Sequence, residues 1–401
     1  MKRLVLLGHV TILLSAYSAT SSVSGFLLTG LGLVFLFDKY LLHLLHWPPL
    51  EWRREISTRG ASFLAGAVTF YLLRPGIVPL QEAIYRGFMV CLAGLLLERV
   101  WHILGWLGCG LLLVLLAVLV PWLAFLHPLH TMPKRTPVAL GLAFEDVRFP
   151  SRDGARLAAW LIPHPSARGN VIYCHGHGRS CGQGAGLFTT LHTLGLNILA
   201  FDFRGHGASS GHTSTFGDHE VEDLLAAVHY LQARFPNQPL FLIGTSLGAA
   251  VILQALPQIP DVSGVWSEAA FSRLSHTVEH QFAWLPGPLR WPLVRGYYVL
   301  GWLDCGLWIP SINPVQCLDG LTVPIFFCHG QKDRLVPFAE AQELHDAYAG
   351  PKWHWWVKEG VHYNIRQIAP EEYLARLQGF VEECLKSACG NRVATPLLAP
   401  R

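Results

Sequence analysis

Three residues of this chain belong to the types that together perform acyl transfer: Ser246, Asp333 and His362. A serine hydroxyl attacks a carbonyl only when a neighbouring imidazole takes its proton, and a carboxylate must orient that imidazole and stabilise its cation. Ser246 stands in "FLIGTSLGAA", where an apolar run stops at Gly-Thr-Ser-Leu-Gly and a helix-forming segment resumes at once. In a chain with 38 glycines the alternative is a chance Gly-x-Ser-x-Gly. The order strand, Gly-x-Ser-x-Gly, helix is what gives the pentapeptide weight. It puts the serine in a strained turn, with Gly244 and Gly248 keeping neighbouring backbone clear, and it aims helix amides that lack intrahelical partners at the reacting centre.

The elements that must position these residues begin near residue 136, where turn residues, short apolar runs and amphipathic stretches start to alternate in the manner of βα units. "FEDVRFPSRDGARLAAWLIP" reads as a β-hairpin turning at Asp153-Gly154. The runs "NVIYCHG", "LNILAFDFRG", "PLFLIGTS", "VSGVWSEAA", "TVPIFFCHG" and "KWHWWVKEG" read as strands, and "DHEVEDLLAAVHYLQARF" has helical spacing. Strands apolar throughout and joined by helices imply a mostly parallel sheet covered on both faces. Reactive groups then belong at the strands' carboxyl ends.

Ser246 passes that filter, and so do Asp333 after "VPIFFC" and His362 after the last strand. Glu268 in "WSEAAF" also ends a strand and is the alternative acid; Asp333 is preferred because its strand directly precedes the helix and strand leading to His362. Two backbone amides are needed for the oxyanion. Leu247, just after the nucleophile, offers one, and His177 in "YCHGHGRS" offers the other. Cys174, His175, His177 and Cys181 could also be read as a metal cluster, but their spacing differs from that of known structural sites and no metal is expected. Among the remaining histidines, His206, His329 and His354 read as structural or surface residues, and Asp202 as the brace of its own loop.

Five pieces in this order, "YCHGHG", "DFRGHGASSG", "GTSLG", "HGQKDRLVP" and "GVHYN", carry a resemblance. From about residue 143 to 388 the chain resembles the α/β-hydrolase superfamily, in its monoglyceride-lipase-like and serine-aminopeptidase-like branch, which includes membrane-anchored members. The resemblance implies an α/β-hydrolase fold over about residues 136–390, with a small cap at about 271–322 and a tail at 391–401. It implies a Ser246, His362, Asp333 triad working through an acyl-enzyme without a cofactor. Thr245 and Leu247 fill the variable places of the elbow, and the second histidine of "HGHG" is an unusual occupant.

The first third of the chain is outside the resemblance and differs in kind. Over 401 residues the chain is 51% hydrophobic and 14% charged, with a mean hydropathy of +0.34, which is too apolar for an ordinary soluble protein. Ile103 to Leu126 carries no charged side chain and is long enough to cross a hydrocarbon core of about 30 Å. A hairpin of spans from Leu4 to Phe37, and shorter runs at Ala61–Leu73 and Ala83–Leu97, bring the expectation to three to five transmembrane helices within residues 1–135. "MKRLVLLGHVTILLSAYSA" also fits a signal peptide, though the later spans make the membrane reading independent of cleavage. Arg53, Arg54 and Arg59 draw their loop to the cytoplasm, which with five spans leaves the catalytic domain outside; Lys134 and Arg135 pull the other way.

A net charge of +3, without a basic run interleaved with aromatics, speaks against nucleic-acid binding. Nine cysteines without a C-x-x-C pair do not assign a redox compartment. The insert from "FSRLSHTVEH" to "CLDGL" is rich in Trp and Tyr and poor in charge, as a cap over an apolar cleft would be. The chain therefore reads as a membrane-anchored hydrolase of a lipid, acylglycerol or other acyl ester. A peptidase or amidase of the same fold, with Glu268 or Asp304 holding a substrate amine, and a non-catalytic membrane interaction module are the alternatives.

Overall fold

The computed structural model describes residues 124–133 and 136–388, with Gly105, Leu112, Leu115, Leu116 and Leu119 as isolated positions upstream. The expected spans before Ala124 and the tail beyond Ala388 lie outside these residues. Among the described residues no helix is long and apolar enough to cross a membrane. A compact unit runs from Trp122 to Arg401.

The chain order is β1 (Glu145–Pro150), β2 (Arg156–Ile162), β3 (Gly169–Cys174), α1 (Ala185–Thr193), β4 (Leu196–Phe201), α2 (Glu220–Arg234), β5 (Leu240–Thr245), α3 (Leu247–Ala255) and β6 (Val262–Glu268). The cap helices α4 (Leu274–Gln281) and α5 (Gly287–Cys305) follow, then β7 (Ile325–Gly330), α6 (Phe338–Ala347), β8 (Lys352–Val357), the short α7 (Ile365–Ile368) and α8 (Pro370–Ala388). The strands form one sheet in the order β1-β2-β4-β3-β5-β6-β7-β8. β3 to β8 run parallel, while β2 is antiparallel to both β1 and β4. The β1–β2 hairpin closes with the Ser151 amide donating to the Ala155 carbonyl at 2.7 Å, and Gly154 takes φ +89° there.

β3, β4, β5 and β7 are buried along their whole length, which is why their sequences show no polar alternation. Side chains still alternate between faces. Val171, Tyr173, Phe241, Ile243, Trp266 and Phe326 join Leu187, Phe188 and Leu191 of α1 and Tyr373, Leu377 and Phe380 of α8 in one core. Ile172, Leu242 and Val265, on the alternate positions, are also fully buried, toward the face packed by α2, α3 and α6. β3 pairs with β4 on one side and β5 on the other, so the winding reverses at β3. Such a reversal opens a crevice at the strands' carboxyl ends.

The apolar run that sequence reading assigns to a span up to Leu126 ends inside this unit. Leu126 is fully buried, and its carbonyl accepts the Ser214 amide at 2.8 Å. The Phe125 ring stacks on Phe216 at 4.1 Å and meets Tyr297 of the cap at 5.8 Å. His127 Nε2 bonds to Asp304 of α5 at 2.7 Å, and the ring nitrogens of His130 lie 2.8 and 3.0 Å from the Gly207 and Gly211 carbonyls. Residues 124–133 thus form a strap that ties the loop after β4 to the cap. Hydropathy cannot tell the inside of a protein from the inside of a bilayer, which is why the run reads as one segment. Leu126→Ala should destabilise this unit by about 2–5 kcal/mol, the usual range for truncating a fully buried leucine. The check is the denaturant midpoint of the full chain in neutral detergent, and a shift below about 0.5 kcal/mol would remove Leu126 from the core.

Candidate active site

Ser246 joins β5 to α3 with φ 54° and ψ −116°, a conformation that L residues avoid and that is held only when surroundings over-determine it. Here the Ser246 amide donates to the Glu268 carbonyl at 2.7 Å, and its carbonyl accepts the Ala250 amide at 3.0 Å. The two elbow glycines are required by close approach. A Cβ on Gly248 would lie 2.2 Å from the Cys174 carbonyl oxygen, and one on Gly244 would lie 2.5 Å from the Ala249 amide nitrogen. β3 therefore ends directly beneath the start of α3.

The structure brings Ser246, His362 and Asp333 together. Ser246 Oγ donates to His362 Nε2 at 2.8 Å, and His362 Nδ1 donates to Asp333 Oδ2 at 2.6 Å. All three are nearly excluded from solvent, at 6%, 5% and 7% exposure, so these bonds operate at low local dielectric. Asp333 is fixed by its own turn, since Oδ1 accepts the Leu335 and Val336 amides at 2.9 and 3.0 Å. Burial pushes its pKa up, but hydrogen bonds from His329 and His362 more than reverse this and hold the carboxyl well below the usual range. It stays an anion.

Glu268 does not join this chain of bonds. Its Oε2 accepts the Tyr373 hydroxyl at 2.6 Å, and Tyr373 in turn accepts the Trp266 indole N–H at 2.9 Å. The acid is buried in a polar knot behind the elbow, and only its backbone serves the nucleophile.

The oxyanion loop lies against Ser246. A Cβ on Gly176 would sit 3.5 Å from Ser246 Cβ, and the Gly176 amide is tied to Gln183 Oε1 at 2.7 Å. Among the described residues neither the His177 nor the Leu247 amide donates to a protein acceptor, so both are available to a developing oxyanion. The four residues weighed as metal ligands have other tasks. His175 uses both ring nitrogens, donating from Nδ1 to the Gly176 carbonyl at 2.8 Å and accepting the Phe203 amide at Nε2 at 3.0 Å. Cys174 and Cys181 are buried thiols. The His177 ring stacks on Phe216 at 4.9 Å. Asp202 braces its loop, accepting the Cys181 and Ala208 amides at 2.6 and 2.8 Å.

A family described as serine aminopeptidase, S33, matches residues 165–299. The uncharacterized protein Rv2307c of Mycobacterium tuberculosis is 31% identical over 230 residues, covering 56% of this chain and 74% of that protein. The Pyrococcus furiosus esterase Pf2001 superposes with a TM-score of 0.55 at 27% identity, over 65% of this chain and 98% of the esterase. The chain belongs to the α/β-hydrolase superfamily. It is a serine hydrolase. A third similarity, to the monoglyceride lipase of Rattus norvegicus, is 31% over 137 residues, 33% of this chain and 45% of the lipase.

Sequence reasoning passed over two features of the hydrolase's site. His329, read as structural, ends β7 with Nε2 at 3.0 Å from the Val336 carbonyl and 3.4 Å from Asp333 Oδ2; the strand-end filter would have found it. Tyr363 follows His362 with its ring 4.3 Å from the imidazole, and nothing in its spacing marks it. The aromatic insert also divides. Phe282 and Tyr297 are buried and in contact at 5.8 Å, whereas Trp284 and Trp302 are 70% and 58% exposed.

Three imidazoles beside the nucleophile are held neutral. Burial lowers His175 to about 4 and His206 to about 3; His177 falls to about 3 by burial and the neighbouring His206. Free histidine protonates near 6.5, so between about pH 6.5 and 4 the unfolded chain binds protons that the folded chain refuses. Stability should therefore fall on acidification through that window, by roughly 1 kcal/mol per pH unit for each ring. Chemical unfolding at pH 7 and pH 5 measures this, and equal midpoints would mean the rings are not buried neutral. For the acid, Asp333→Asn should lower turnover about 10³- to 10⁴-fold, as expected when the imidazole loses its orienting anion. Steady-state rates for Asp333→Asn and Glu268→Gln decide between the two carboxylates, with Glu268→Gln retaining the larger share of activity.

Proposed function

We propose that this chain is a membrane-anchored serine hydrolase that cleaves a carboxylic ester with an apolar acyl group. The observation that carries the reading is the continuous hydrogen-bonded path from Ser246 through His362 to Asp333, next to two amides without acceptors. Ser246 Oγ attacks the carbonyl carbon while His362 Nε2 takes its proton, and Asp333 stabilises the resulting imidazolium. The His177 and Leu247 amides receive the oxyanion. His362 then gives the proton to the leaving oxygen, the alcohol departs, and water attacks the acyl-serine by the same route in reverse. None of these steps calls on a cofactor.

Support for an apolar acyl group comes from the rings beside the oxyanion loop. Phe216 and Phe125 adjoin His177, and Tyr297 links them to Phe282 of the cap. Support for membrane anchoring comes from the uncharged run before Ala124 and from exposed Trp284, Trp291, Trp302 and Trp308 on the cap, since tryptophan favours the membrane–water interface. The arginine-bearing loop Arg53–Arg59 favours an extracytoplasmic catalytic domain. Aminopeptidase action needs a carboxylate for the substrate amine, and the two considered are engaged elsewhere, Glu268 with Tyr373 and Asp304 with His127.

The native protein in neutral detergent should be labelled by a fluorophosphonate probe, and Ser246→Ala should not. Against a panel of monoacylglycerols, phospholipids, simple acyl esters, amides and short peptides, the esters should turn over fastest. Absence of label on the native protein would favour a non-catalytic module, and faster peptide cleavage would favour a peptidase.

A further inference from the structure

The oxyanion loop carries a positive charge for which the acyl-transfer steps have no use. Arg179 stands two residues beyond His177, and its amide donates to the Gly176 carbonyl at 3.1 Å, closing a turn within "HGHGRS". Its guanidinium carbon lies 4.9 Å from the centre of the Tyr363 ring. The same ring stands nearly perpendicular to His362, at 77° and 4.3 Å. A cation is thus held one phenol ring away from the base.

Its partners elsewhere in the unit are the contrast. Arg204 is clamped by Asp153 and Asp223, Arg273 by Glu343, and Arg376 by Glu372. Arg179 is exposed, and among the described residues no carboxylate lies within ion-pair distance of it. Stacking on Tyr363 restrains the side chain while leaving guanidinium N–H groups unused, a state suited to a planar, two-pronged acceptor. Tyr363 adjoins His362, the group that protonates the departing oxygen, so the cation stands on the leaving-group side. The apolar rings of Phe216 and Phe125 flank His177 instead.

We infer that Arg179 is a specificity-determining residue that receives a phosphate or carboxylate on the leaving group, making an anionic acyl ester the preferred substrate. The inference rests on the ester-hydrolase reading and adds the chemistry of the alcohol to it. Tyr363 is the platform that holds the guanidinium.

The test uses the full chain in neutral detergent and three esters of one acyl chain: decanoylglycerol, decanoylglycerol phosphate and a decanoyl ester of a hydroxy acid. In the native protein kcat/KM should be higher for the charged esters, and the preference should shrink with added salt. Arg179→Gln should lower the charged-to-neutral ratio of kcat/KM about 10- to 100-fold, the range for a charge-assisted contact, with Arg179→Lys between. Dodecyl phosphate should slow fluorophosphonate labelling of the native protein more than that of Arg179→Gln. Phosphate against carboxylate is resolved by which charged ester gains more. A native preference for the neutral ester, or an equal loss on all three in Arg179→Gln, overturns the inference and leaves the ester-hydrolase reading standing. Turnover of amides or peptides but of no ester overturns both.

Discussion

The left-handed backbone at Ser246 is the constraint on which the rest of the active site depends. A serine at φ 54° stores on the order of 1–3 kcal/mol, and the neighbourhood is built to keep it there. β6 supplies the Glu268 carbonyl as a latch on the Ser246 amide. β3 and α3 approach so closely that only glycine fits at 248. The same close approach sets the end of β3, and hence the His175–Arg179 loop, against the nucleophile. Removing Gly248 would thus disturb the hydroxyl and the oxyanion amides together.

Around that elbow the chemistry depends on opposite treatments of buried ionisable groups. Asp333 keeps its charge because four donors surround it, two backbone amides and the rings of His329 and His362. His175, His206 and His177 lose theirs, because their surroundings are apolar rings and other histidines. A cationic cluster there would disfavour the imidazolium that the proposed mechanism forms at His362. Keeping three rings neutral leaves Asp333 as the anion paired with the His362 imidazole, with Arg179 as a separate, exposed cation.

Much of this was legible in the sequence because the relevant signals are local. The elbow is a strand, a turn and a helix in one stretch, and the strand-end rule picks out Ser246, Asp333 and His362 without a structure. The rule admits two strand-end acids, and only the order of strands leading to His362 prefers Asp333 over Glu268. What the sequence does not show is the other task of Glu268, whose carboxyl turns toward Tyr373 of α8, a contact across 105 residues. The same non-locality hid the Arg179–Tyr363 pair. The aromatic insert was read by composition, which cannot divide inward Phe282 and Tyr297 from outward Trp284 and Trp302.

The strap shows a deeper ambiguity, because apolar solvation by lipid and by protein leaves the same trace in a sequence. Phe125 and Leu126 end an uncharged run, yet both are used by the hydrolase unit. Their placement is not incidental to the site. Phe125 sets its ring against those of His177, Phe216 and Tyr297, so the oxyanion loop, the loop after β4 and the cap meet at one side chain. The residues that lead out of the apolar region are therefore part of the wall of the active site. A hydrolase unit defined by its βα pattern alone, from residue 136, would omit the side chain whose ring lies against that of His177.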